Sequence, residues 1–140
     1  MDNTRRSLIK AAAGLAALSS FNVKAQAGGS YVLGTLFPMS GSVAELGTVF
    51  TNGVMLALEH IAADKMLSRP MVLKAQDSLA TPQGGAVGMS RLVNVDNAPF
   101  VLVGVTGVSK AAAPIGARKK VVMVNGGGVS PELAEMSPYF

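Results

Sequence analysis

The sequence predicts an α/β fold, an open parallel sheet with helices on both faces, and three observations predict it. Four short runs of strand-forming apolar residues recur along the chain, at Tyr31–Phe37, Pro70–Ala75, Phe100–Val103 and Val121–Val124. Between them the apolar residues fall at three- and four-residue intervals instead. The connections are short, with neither a repeat nor a linker. Strands that alternate with helices are joined by crossovers, and crossovers that pack back on the sheet give parallel strands covered on both sides.

Each element has its own signal. Tyr31–Phe37 is a continuous apolar run closed by Pro38 and by Ser40-Gly41, as suits a central strand buried on both faces. From Gly47 to about Met66, Phe50, Val54, Ala57 and Ile61 form one helical stripe. Pro70–Ala75 is the second strand, with Gln76-Asp77-Ser78 as the turn that closes it. Thr81-Pro82 reads as an N-cap and first helical position, opening a helix to about Val95 with Val87, the stem of Arg91, Leu92 and Val95 inward. Phe100–Val103 is the third strand, Gly104–Ser109 the loop beyond it, and Lys110–Arg118 a short helix interrupted by Pro114. Val121–Val124 is the fourth strand. Asn125–Ser130 follows as a loop, and Pro131–Glu135 as a first helical turn capped by Ser130.

Residues 1–27 are set apart from the fold. Thr4-Arg5-Arg6-Ser7-Leu8-Ile9-Lys10 resembles the twin-arginine export motif, and Ala25-Gln26-Ala27 supplies a small-residue cleavage site after about Ala27. The apolar run Ala11–Phe21 is too short to span a bilayer, and no later segment reads as long and apolar enough to do so. The expectation is export to the periplasm, with residues 28–140 as a domain not embedded in a membrane. These 27 residues carry four of the twelve bases and one of the eight acids, leaving eight bases against seven acids, a net charge of +1. That balance gives no basic face for nucleic acid, because Arg118-Lys119-Lys120 is the one cluster.

Catalysis is disfavoured by specific absences. There is no cysteine and a single histidine, His60, which reads as solvated surface. No nucleophile–base pair, thiolate metal site or cofactor is therefore expected. The strand-to-helix loops lack the G-x-G-x-x-G dinucleotide fingerprint, and Gly41 is followed by Ser42 rather than by a P-loop lysine pattern.

Binding is favoured by position. In an open parallel sheet, ligands sit beyond the carboxyl ends of the strands where strand order reverses. If the first strand is central, Met39–Leu46 and Val105–Lys110 flank that point, with Asn125–Ser130 alongside. These loops are rich in small residues and lead into helix N-termini whose free N–H groups suit a carboxylate. Asp77 reads as satisfying a turn or hinge.

Gly34-Thr35-Leu36-Phe37-Pro38-Met39-Ser40-Gly41, followed by Gly47 and Gly53, resembles the opening of the leucine/isoleucine/valine-binding proteins. These are the type I periplasmic binding proteins of ABC transporters. Asp77, Thr81-Pro82, Val103-Gly104 with Ser109 beyond it, and Gly126–Leu133 share the resemblance. It covers residues 28–140 but only part of the family's N-terminal lobe, so these residues are expected to form an incomplete lobe. The opposing lobe, with the acidic partner for a ligand ammonium, is expected outside them.

The resemblance implies a solute-binding component that captures a branched-chain or related amino acid, or a related carboxylate, and delivers it to an ABC permease in the inner membrane. It implies that Ser109 holds the α-carboxylate and that the Gly127 and Gly128 backbone contacts the amino acid. Val129 stands where the family often has a threonine for the α-ammonium, unless Ser130 takes that role. Leu46 stands where an aromatic often covers the ligand. Two alternatives stay open: an amide or amino-acid sensor on the same fold, and a truncated fragment that binds nothing.

Overall fold

The computed structural model describes residues 29–140, so the export-signal reading of residues 1–27 lies outside the described residues. The chain runs β1 (Tyr31–Phe37), α1 (Ala44–Ala63), β2 (Met71–Asp77), α2 (Pro82–Asn94), β3 (Phe100–Val103), α3 (Thr106–Lys119) and β4 (Val122–Asn125). A short 3-10 turn, Pro131–Glu135, follows. The four strands form one sheet in the order β2-β1-β3-β4, and every pairing is parallel. β1 is therefore central and strand order reverses between β1 and β3, which meets the condition on which the sequence reading placed the binding edge.

Side chains alternate across a strand, so each face can be read from the register. Leu36, Val101, Val103 and Met123 face α2 and α3, where they join Met89, Leu92, Val108, Ala112 and Ala113 in the core. The opposite face carries Phe37, whose ring lies 5.2 Å from that of Phe50 on α1. Helices thus cover both faces, though unequally. Beyond α1, Phe100, Val122 and Val124 remain exposed.

Several boundaries differ from the sequence reading. α1 starts at Ala44, because the turn at Gly41, with φ +81°, feeds directly into it. β2 runs on through Gln76 and Asp77 in full register with Leu36 and Phe37, leaving only Ser78 onward as the turn. On α2, Val87 and Val95 point outward; the buried face is Gly85, Gly88, Met89, Leu92 and Val93. On α1, Ala57 of the expected stripe is likewise exposed.

Two further expectations are corrected. α3 begins at Thr106, not Lys110, and continues through Pro114, whose ring faces out while Ala112, Ala113 and Gly116 pack inward. α1, at 20 residues, is long and apolar enough to cross a bilayer by length and composition, contrary to the expectation for segments after residue 27. Here it is the crossover between β1 and β2, which pair along seven residues, with Phe50 seated on Phe37.

Candidate functional site

Three segments meet beyond the carboxyl ends of β1, β3 and β4. The first is Pro38–Val43, which leads into α1. Pro38 is fully buried, and a side chain at Gly47 would lie 1.9 Å from the Pro38 carbonyl oxygen. Only glycine lets the first turn of α1 press so closely on this loop. Leu46 projects from that same turn and is half exposed, beside the exposed Met39 and Val43.

The second segment is Gly104-Val105 and the start of α3. Val105 is the N-cap and offers no side-chain cap bond. The first helical bond runs from Ser109 N to Val105 O at 2.8 Å, so the N–H groups of Thr106, Gly107 and Val108 have no acceptor within the helix. The helix dipole adds partial positive charge at this end. Both properties suit an anion.

The third segment is Asn125–Ser130, organised by one side chain. Asn125 Oδ1 accepts from Gly127 N at 3.2 Å and from Gly128 N at 2.5 Å, while its Nδ2 donates to Gly128 O at 2.6 Å. A side chain at Gly127 would meet the Gly104 carbonyl oxygen at 2.4 Å and Phe50 at 2.6 Å, so glycine is needed for the β3 and β4 loops to pack together. Val129 N donates to Thr106 Oγ1 at 3.0 Å, and the Lys110 ammonium pairs with the Glu132 carboxylate. The first contact holds this loop against α3, and the second holds the 3-10 turn that follows it.

The structure therefore brings Gly127, Gly128, Val129 and Ser130 to the edge beside α3, with Leu46 near the first loop. Val129 is 89 % exposed. Ser130 sits at the N-cap position of the 3-10 turn without a side-chain cap bond. Ser109 is placed differently from the loop position the sequence suggests. It lies inside α3, fully buried, and its hydroxyl has no hydrogen-bond partner. On the first turn of α3 the hydroxyl that meets this edge is that of Thr106.

Sequence reasoning placed Thr106 and Asn125 within the flanking segments but gave neither a role of its own. An Asn that ends a strand ahead of three glycines is a loop-organising signal, since its short side chain bonds backbone two or three residues on. Thr106 has no such signal, because it precedes Gly107 in what reads as a loop.

Other concavities have different characters. An apolar groove of about 310 Å³, lined by Phe37, Phe50, Val54, Leu102 and Gly126, lies under α1 beside the edge. A cavity of about 350 Å³ opens at the opposite, amino-terminal end of the strands between Ile61, Lys65 and Arg69, whose guanidinium stacks 4.3 Å over the Tyr31 ring. Its position, away from the reversal point, separates it from the ligand edge. Among the described residues no group of three His, Cys, Asp or Glu side chains is placed to hold a metal.

The model of the periplasmic binding protein family matches residues 30–140. The chain belongs to that family. It is an extracytoplasmic solute-binding family and not an enzyme family. Comparison with curated proteins gives no match.

Solved structures share the fold. A putative branched-chain amino acid ABC transporter protein from Rhodospirillum rubrum has a TM-score of 0.74 at 23% identity, over 79% of this chain and 32% of its own. A branched-chain amino acid transporter substrate-binding protein from Streptococcus pneumoniae, in complex with isoleucine, gives 0.73 at 22%, over 79% and 32%. A solute-binding protein of an ABC transporter from Rhodopseudomonas palustris, in complex with 3,4-dihydroxybenzoic acid, gives 0.70 at 23%, over 79% and 30%. The chain thus spans about a third of the length of these structures.

Proposed function

We propose that this chain forms part of the solute-binding component of an ABC transporter, and that the part of its ligand held here is a carboxylate. The observation that carries this reading is the open first turn of α3, where three N–H groups lack helical acceptors beside the Thr106 hydroxyl at the reversal point of the sheet. The solved relatives were found with isoleucine and with 3,4-dihydroxybenzoic acid, and the carboxyl group is what these two ligands have in common. Thr106, rather than the buried Ser109, is the side chain we assign to that carboxylate.

A branched-chain or related amino acid is the first substrate class. An aromatic acid without an ammonium is the second, favoured because Val129 offers no hydroxyl oxygen to accept from an ammonium. Delivery to an inner-membrane permease and export through residues 1–27 belong to the same proposal. We assign no enzymatic activity.

Calorimetric titration with leucine and 4-hydroxybenzoate, and with the corresponding amides, tests the assignment. Binding of either acid with loss of affinity for its amide supports it. Equal binding of acid and amide, or no heat with a folded chain, refutes it. An alkaline phosphatase reporter fused after Ala27 tests the export step, which fails if the reporter stays in the cytoplasm.

A further inference from the structure

We propose that Asp77 is a positioning residue for the ligand edge, whose single carboxylate fixes the loop after β1 and the turn after β2 in one arrangement. The inference rests on the reading of that edge as a binding site. It starts from Pro38. The β1–β2 ladder runs to its last register pair, Phe37 with Asp77, and Ser78 N still donates to Phe37 O at 2.9 Å. Pro38 has no N–H, so the ladder stops there and the next donors need another acceptor.

Asp77 supplies it. Its Oδ1 accepts from Met39 N at 2.8 Å and from Leu79 N at 2.8 Å, and its Oδ2 accepts from Ser40 Oγ at 2.6 Å. A carboxylate is suited to the place because it accepts several bonds and donates none. The acceptor in each is an ionised carboxylate, so all three bonds are charge-assisted although their donors are neutral.

The turn after β2 held this way has a backbone that does not rest there by default. Leu79 and Ala80 each adopt left-handed backbone, with φ of +53°, which non-glycine residues rarely visit in succession. Such conformations persist where the surroundings over-determine them. Asp77 bonds the first of the pair, and Ser78 Oγ accepts from Ala80 N at 3.4 Å. The Met39-Ser40 segment is held on one side by Asp77 and pressed on the other by the first turn of α1 at Gly47. Asp77 therefore sets where Met39, Val43 and Leu46 stand relative to Thr106 and the β4 loop, although β1 lies between its strand and β3, and both β1 and β3 lie between it and β4.

The test uses the 140-residue chain with Asp77→Asn and Asp77→Ala. Amide hydrogen exchange is followed by NMR at Met39, Leu79, Leu36 and Val103. Asp77→Ala is expected to speed exchange at Met39 and Leu79 by about tenfold or more, with Leu36 and Val103 unchanged. Asp77→Asn, which keeps an acceptor and the shape, is expected to recover part of the protection. Unchanged exchange at Met39 and Leu79 overturns the proposal. So does an equal loss of protection at Leu36 and Val103, since Asp77 would then merely hold the fold. Leucine is titrated into the same samples, with weaker binding expected in Asp77→Ala. Leucine affinity equal to that of the unsubstituted chain, with the two amides released, also overturns the positioning role. If leucine and 4-hydroxybenzoate both fail to shift any amide of the unsubstituted chain, the binding reading falls while the exchange result still decides what Asp77 holds.

Discussion

Gly47→Ala sets two physical effects against each other in one helix. Alanine in place of glycine inside a helix ordinarily stabilises by about 1 kcal/mol. At Gly47, however, the new methyl would lie 1.9 Å from the Pro38 carbonyl oxygen and 2.7 Å from its carbonyl carbon. Backbone cannot swing aside as a side-chain tip does, and Pro38 is buried. Overpacking of this kind costs about 1–3 kcal/mol, and a backbone clash this deep belongs at the upper end. The net expectation is a loss of about 2 kcal/mol, or a fall in Tm of roughly 8 °C for a domain of this size.

Gly53→Ala is the internal control, because it lies on the same helix with nothing within 4 Å of the new methyl. It should raise stability by up to about 1 kcal/mol. Thermal unfolding followed by circular dichroism reads both. A Gly47→Ala variant as stable as the unsubstituted chain would refute the placement of α1 against Pro38, and with it the geometry of the first loop.

Leu92→Ala empties a fully buried position in the α2 core and should cost about 2–5 kcal/mol in urea unfolding. Thr81→Ala removes the cap bond that Thr81 Oγ1 accepts from Gly84 N at 3.0 Å, with an expected loss of about 1 kcal/mol by the same method. At Asp77, partial desolvation pushes the carboxyl up, but the bonds from Ser40, Leu79 and Met39 outweigh it and its pKa is lowered. Its contribution to stability is thus present above the ordinary aspartate pKa and is lost as pH falls through the depressed folded value. The Met39 and Leu79 amide shifts should titrate with a midpoint below the usual aspartate value of about 3.9, and Asp77→Asn should abolish the step.

The parallel sheet and the central place of β1 were legible because continuous apolar runs and short connections allow few topologies. What failed was reading the inner face of α2 from apolarity alone. Val87 and Val95 look like core residues, yet Gly85 and Gly88 face inward, since the close approach of α2 to Leu36 and to α3 leaves room only for small residues. A stripe drawn through large apolar residues passes over such a face. The start of α3 was hidden for a related reason. Val105 gives no capping signal, and Pro114 suggests a break, yet the burial of Val108, Ala112 and Ala113 holds the helix together.

The candidate site was legible by position more than by side chain. Gly127 and Gly128 stood out as close-approach residues, and the structure gives each a reason through Gly104, Phe50, Leu133 and Asn125. Ser109 came from the family resemblance, and the sequence reading set it at the end of a loop, 104–109. Once the helix begins at Thr106, the hydroxyl one turn earlier is the one that meets the β4 loop.

The most direct test of the account is an NMR map of backbone amide shifts as leucine or 4-hydroxybenzoate is added. The account predicts the largest shifts at Thr106, Gly107 and Val108, with smaller ones at Gly127–Ser130. Shifts centred instead on Lys65–Met71, at the other end of the strands, would contradict it.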